Sequence, residues 1–189
     1  MADLLMTHVA LRYPASLITP LAGIGVLVLL WPLQINGVWA FVMVLAGLIA
    51  WTLLEYALHR FVLHRVEPFR AWHVQHHRCA TDPIRVPVSF SFALVLAMIG
   101  LPALLTGFAG LAVPFSMGML FGNVLQESVH ERLHRREPGC RWLAQLQTLH
   151  GYHHFQDARR AYGTLTGLWD RCFGTARPCA SGGKAGRGN

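Results

Sequence analysis

Charge is what this sequence has least of. Asp, Glu, Lys and Arg make up 13% of its 189 residues, about half the share of an ordinary soluble domain, while 53% are hydrophobic and mean hydropathy is +0.39. No charged side chain occurs from Tyr13 to Leu54 or from Val86 to Gln126. That composition excludes a soluble domain with a charged surface and predicts a membrane protein. Acidic residues and histidines are also missing from those two stretches, which argues against a non-enzymatic metal-binding or metal-transporting membrane protein with a polar path across the bilayer. Cysteine is scarce. Cys79, Cys140, Cys172 and Cys179 form no CxxC pair and fall in basic segments expected on the reducing cytoplasmic face, so they read as structural or incidental thiols.

The charge that is present is basic, with a formal net charge of +7. It crowds into Arg60–Arg85, Arg132–Arg141 and the tail after Arg159, the pattern of cytoplasmic loops, so nucleic acid is not an expected partner. Fifteen arginines to one lysine suggest a GC-rich bacterial genome and hence a bacterial inner membrane.

Four apolar stretches, about 17–33, 37–56, 88–108 and 111–130, approach or reach the length of a membrane helix. The turns between one and two and between three and four are uncharged. An even number of crossings then puts both termini and every basic loop in the cytoplasm, with re-entrant hairpins as the alternative to full crossing. No basic segment with a small-residue cleavage site precedes the first stretch, so no cleaved signal peptide is expected. The predicted fold is all-α: an integral-membrane four-helix bundle with a cytoplasmic helical cap. It forms one domain over 1–175, followed by a disordered tail over 176–189.

Against this background stand eleven histidines, ten of them in two matching sets. His59, His64, His73, His76 and His77 lie in HRFVLHRVEPFRAWHVQHH. His130, His134, His150, His153 and His154 lie in HERLH and HGYHH. His8 stands outside the scheme. Helix positions i, i+3 and i+4 share a face, so each HxxHH presents three imidazoles together, and the HxxxH of His130 and His134 also points one way. His59 and His64, five apart, diverge by about 140° on a straight helix. Either that helix end is distorted or the two serve different metals. Ten imidazoles exceed the four ligands of one tetrahedral zinc and suit two metals of higher coordination number. HERLH also matches the HExxH zinc-peptidase pattern, with Glu131 as base, but that reading leaves eight histidines unused. A bis-histidine haem would want single histidines facing each other inside the bundle rather than clusters at helix ends.

The four boxes in order, with EYALHRFVLHR, WHVQHHRCATDP, NVLQESVHERLHRREP, LHGYHHF and YGTLTGLWDRCFGT, resemble the fatty acid hydroxylase / sterol desaturase superfamily of membrane di-iron enzymes over roughly Leu54 to Thr175. β-Carotene hydroxylases share the histidine logic. GLWDRCFGT and HHRCATDP are more similar to the fatty acid hydroxylase branch. The resemblance implies that all ten box histidines hold two iron ions, with zinc as a possible substitute. It implies O2 as co-substrate and hydroxylation of a membrane lipid, most plausibly a fatty acyl chain, with sterol-type desaturation or carotenoid hydroxylation as alternatives. No fused cytochrome b5 domain is seen, so electrons are expected from a separate cytochrome b5- or ferredoxin-like protein. Glu55, Glu127, Asp82 and Asp157 are candidates to orient imidazoles through their second ring nitrogen. Trp72, Tyr152 and Phe155 are candidate walls of a substrate channel.

Overall fold

The computed structural model describes residues 10–135 and 139–178. His8, Cys179 and the tail from residue 179 lie outside the described residues. The described residues begin with strand β1 (Ala10–Arg12) and a three-residue 3-10 turn (Ala15–Leu17). Helix α1 (Ile18–Leu29) and helix α2 (Gly37–Ala57) follow, and α2 runs on as a π-helical segment (Leu58–Leu63). Next come α3 (Phe69–Arg78), strand β2 (Arg85–Pro87), α4 (Val88–Thr106), α5 (Ala109–Leu133), α6 (Arg141–Phe155) and the short α7 (Leu168–Cys172).

Among the described residues, three helices are long and apolar enough to cross a membrane: Gly37–Leu63, Val88–Thr106 and Ala109–Leu133. The first predicted span is shorter than expected. Its helix has twelve residues, about 18 Å, and the 3-10 turn before it adds about 6 Å, against the roughly 30 Å of a hydrocarbon core. The apolar run continues to Leu33, but Pro32 cannot donate to a helix and the chain turns there. The Asn36 side chain then caps α2 by accepting from the Val38 amide at 2.8 Å. At the far end of α4, Gly107 takes φ +60°, the left-handed conformation that ends a helix without a Cβ penalty.

Helices α2 and α5 form the central pair. A Cβ on Gly47 would stand 2.9 Å from the Phe115 carbonyl carbon, and one on Gly118 would stand 2.9 Å from the Leu48 amide nitrogen. Only glycine lets the two backbones come this close, the usual packing device where lipid gives helices no hydrophobic reason to associate. Around the crossing Leu27, Trp51, Val95, Met98 and Leu120 are buried, while Leu29, Leu33, Leu104 and Leu105 face outward.

Strands β1 and β2 pair antiparallel, with Leu11 opposite Val86. The pairing ties the start of α1 to the start of α4, so α1/α2 and α4/α5 are hairpins that begin and end at the same side. The ribbon is held to α5 by the Ile84 amide, which donates to Glu131 Oε2 at 3.0 Å. Ser16 donates to the buried Glu127 carboxylate on the same helix. The cap at this end consists of the π segment, α3, α6, α7 and the loop 157–167.

Candidate metal centre

The ten box histidines converge in two groups of five. His59, His64, His73, His77 and His153 form one; His76, His130, His134, His150 and His154 form the other. In each group one ring nitrogen per residue lies within 4.8 Å of all the others. The division does not follow the sequence halves. The first half gives His76 to the second group, and the second half gives His153 to the first.

Local geometry explains how each side chain arrives. The π segment has i→i+5 hydrogen-bonding geometry, which brings residues five apart onto one face. His59 and His64 therefore meet in the same group, and the distorted helix end is the correct one of the two expectations for that pair. In α3 the spacing His73–His77 is one turn along one face, while His76 turns toward α5. In α6, His150 and His154 share a face and His153 points away across the cap.

The ring nitrogens stand at metal-edge distances. His73 Nε2 is 3.0 Å from Nε2 of His59, His64 and His77, and His64 Nε2 is 3.0 Å from His153 Nε2. In the second group His130–His150, His130–His134 and His134–His150 stand at 3.1, 3.3 and 3.0 Å. A neutral imidazole has one N–H, so His73 Nε2 cannot satisfy three like neighbours at once. His59 Nδ1 donates to the Tyr162 carbonyl at 2.5 Å and His153 Nδ1 to the Arg160 carbonyl at 2.7 Å. Both protons are thereby placed on Nδ1, and both Nε2 atoms offer lone pairs to the centre. His76 Nε2 and both ring nitrogens of His154 are buried with no hydrogen-bond partner among the described residues. Lone pairs gathered this way could hold a metal cation. With ligand bonds of about 2.1 Å, nitrogens at right angles lie about 3.0 Å apart and tetrahedral ones about 3.4 Å apart, so five- or six-coordination fits better than a tetrahedron.

Burial keeps these imidazoles neutral. It pushes His64 and His76 down to about 3, and His77, His134 and His153 to about 4. For His64 and His76 the neighbouring histidines add to the effect. His73 and His150, more deeply buried, are also held well below the ordinary imidazole value, again by desolvation first.

The four candidate carboxylates do other work. Among the described residues none is hydrogen-bonded to a histidine ring. Glu55 accepts from the Thr164 amide at 3.1 Å and hydroxyl at 3.0 Å, and Glu127 accepts from Ser16. Asp82 lies 3.9 Å from Arg85, and Asp157 pairs with Arg159 and Arg160. Backbone carbonyls take the orienting role instead. They belong to a loop held by buried Asp170, which accepts from the Tyr162 and Gly163 amides at 2.9 Å and from the Thr175 hydroxyl at 2.7 Å. Carbonyls leave no trace in a sequence; Asp170 was visible only as the acid within GLWDRCFGT. Glu131 of HERLH is tied to Ile84 and lies 3.5 Å from Arg135, so it is engaged away from the peptidase role.

A cavity of about 740 Å³ opens between α3, the ribbon, α4 and α5. Its histidines are His59 and His73 from the first group and His76 and His130 from the second. Leu58, Leu63, Phe69, Trp72, Phe90 and Leu94 supply apolar wall, and Asn123 and Gln126 are polar points on α5. Trp72 lines this cavity. Tyr152 and Phe155 are not among the lining residues, and Phe155 is 74% exposed on the cap.

The model of the family described as fatty acid hydroxylase matches residues 44–175. The chain is 32% identical over 145 residues to a dihydroceramide fatty acyl 2-hydroxylase of Arabidopsis thaliana, covering 68% of this chain and 58% of that protein. It is 34% identical to a ceramide very long chain fatty acid hydroxylase of Schizosaccharomyces pombe, covering 70% and 41%. It is 32% identical to a fatty acid 2-hydroxylase of Homo sapiens, covering 70% and 38%. The solved structure of full-length scs7p, in which only the hydroxylase domain is visible, matches with a TM-score of 0.72 at 26% identity, over 87% of this chain and 64% of that one. The chain spans between 38% and 58% of the length of these three curated relatives. Sequence, fold and histidine pattern agree, and the chain belongs to the fatty acid hydroxylase family.

Proposed function

We propose that this protein is a membrane-embedded oxygenase that hydroxylates a lipid acyl chain, with one iron ion in each five-histidine group and zinc as a possible substitute. The observation that carries the reading is the cavity, apolar along much of its wall and in contact with histidines of both groups. The relatives' names point to an acyl substrate, and two of them, a dihydroceramide fatty acyl 2-hydroxylase and a fatty acid 2-hydroxylase, to hydroxylation beside its carbonyl carbon. Both chain ends and the cap lie on the cytoplasmic side in this reading, supported by the arginine distribution and the two hairpins.

When bound, the metal pair supplies the reduction of O2 that lets an unactivated C–H bond be oxidised: R–H, O2, two electrons and two protons become R–OH and water. The residues of this chain provide the setting. The neutral imidazoles ligate without adding negative charge. The Tyr162 and Arg160 carbonyls hold protons at Nδ1 of His59 and His153, so both rings keep one orientation and one tautomer. Phe69, Trp72, Phe90 and Leu94 exclude water and accept an apolar chain, which can enter sideways from the bilayer.

Elemental analysis of detergent-purified protein from iron-supplemented cells tests the assignment. Wild type is expected to hold about two metal ions per chain. His153→Ala and His76→Ala, one from each group, are each expected to lose about one and to abolish 2-hydroxy lipid product. Full metal content and activity in both variants would overturn it.

A further inference from the structure

Resting on this reading, hydroxylation needs two electrons delivered from outside the two histidine groups. We infer that the exposed end of α6 around Phe155 is the docking surface for an acidic one-electron carrier protein.

The surface lies away from the substrate. His77 and His154 are not among the residues lining the cavity, and they join the two groups to each other. Their rings are stacked 4.0 Å apart and within 7° of parallel. On the outer side of this pair the Phe155 ring lies 5.7 Å from His154. A large aromatic ring exposed to 74% and in contact with a buried polar centre is the feature expected at a transient protein contact, and it shortens the path from outside to both groups.

The rim is basic. Arg159, with 90% of its side chain exposed, follows α6 directly, and Arg135, 66% exposed, follows His134, whose ring is 4.7 Å from His154. Arg177 lies 5.3 Å over the ring of Tyr152, one turn before Phe155 on α6. Among the described residues, Asp157 is covered by Arg159 at 3.3 Å and Arg160 at 3.5 Å, and Glu131, 3.5 Å from Arg135, is itself only 11% exposed. Positive charge around a small apolar centre steers an acidic partner and permits the weak, fast exchange that two successive one-electron visits require. An anionic lipid surface would use the arginines but has no need of a stacked aromatic path to the histidines.

The test uses the full chain in phosphatidylcholine nanodiscs, metal-loaded and metal-free. Two acidic probes are offered, a soluble cytochrome b5 domain and a plant-type [2Fe–2S] ferredoxin. At least one is expected to bind both forms, with affinity falling tenfold or more between 50 and 200 mM salt. Arg159→Glu with Arg177→Glu should weaken that binding at least tenfold while metal content stays unchanged. If the double variant loses metal, the salt titration of wild type decides alone. Binding of neither probe, or binding indifferent to salt or to charge reversal, overturns the inference. So does a variant that loses only its retention on phosphatidylserine vesicles, which would assign the patch to lipid. Failure of the two-metal reading shows separately, as a wild-type metal content below two.

Discussion

Gly118 gives the most direct handle on how the membrane helices set the metal centre. A methyl group there would collide with the Val44 carbonyl oxygen and stand 2.9 Å from the Leu48 amide nitrogen. Both obstacles are backbone, so no rotamer change relieves them, and α2 and α5 must part. Carbon contacts settle near 3.5 Å, so the parting is at least about 0.6 Å. Helix α2 leads into His59 and α5 carries His130, so this exceeds the roughly 0.5 Å within which a ligand set must be held. Overpacking of this kind costs about 1–3 kcal/mol, and a chain of this size loses about 2–4 °C of Tm per kcal/mol. Gly118→Ala should therefore melt about 2–12 °C lower in detergent and bind metal less tightly in competition with a chelator. The control is Gly100→Ala in α4, where an added Cβ meets nothing within 4 Å and helix propensity favours alanine by about 0.5–1 kcal/mol. A Gly118→Ala protein that melts with wild type and holds metal equally would refute the argument that this close approach positions the centre.

Asp170→Asn replaces an acceptor with a donor facing the Tyr162 or Gly163 amide, at a cost of about 1.5–3 kcal/mol. It should lower Tm by several degrees and weaken metal binding about 10–100-fold through the freed Tyr162 carbonyl, read by chelator competition; unchanged affinity would detach that loop from the centre. Acid should destabilise the metal-free protein. Its cap histidines have folded values of about 3 to 4 against 6.5 unfolded, so the unfolded chain binds protons first as pH falls. Stability is whole above about pH 6.5 and is lost from there down to about 3. Equal Tm values at pH 7.5 and 5 would contradict the neutral-imidazole picture.

The histidines were legible because helix periodicity alone brings His73, His76 and His77, and His150, His153 and His154, onto neighbouring arcs. Their division was not. Whether His76 serves the group of its own box or the other depends on where α5 lies, and that is set by the contact of two glycines far from either box. The pair His59 and His64 showed its tension as a five-residue spacing, which the π segment resolves. The apolar stretches announced the spans, but the length of α1 depended on a turn at Pro32 inside a run that stays apolar to Leu33. The carboxylates misled for a physical reason: Glu55 and Glu127 sit one turn before box histidines, yet buried loop donors reach them first.

The interleaving of the two groups has a consequence in time. Neither group is complete until residue 153 has been made, because the first waits for His153 and the second for His154. At about 5–20 residues per second the last apolar helix, ending at Leu133, is finished a second or more before that point. The newborn chain therefore commits its hydrophobic segments while the first group still lacks His153 and the second still lacks His134, His150 and His154. A ribosome that stalls between residues 134 and 152 leaves a product with all four apolar stretches and neither complete group.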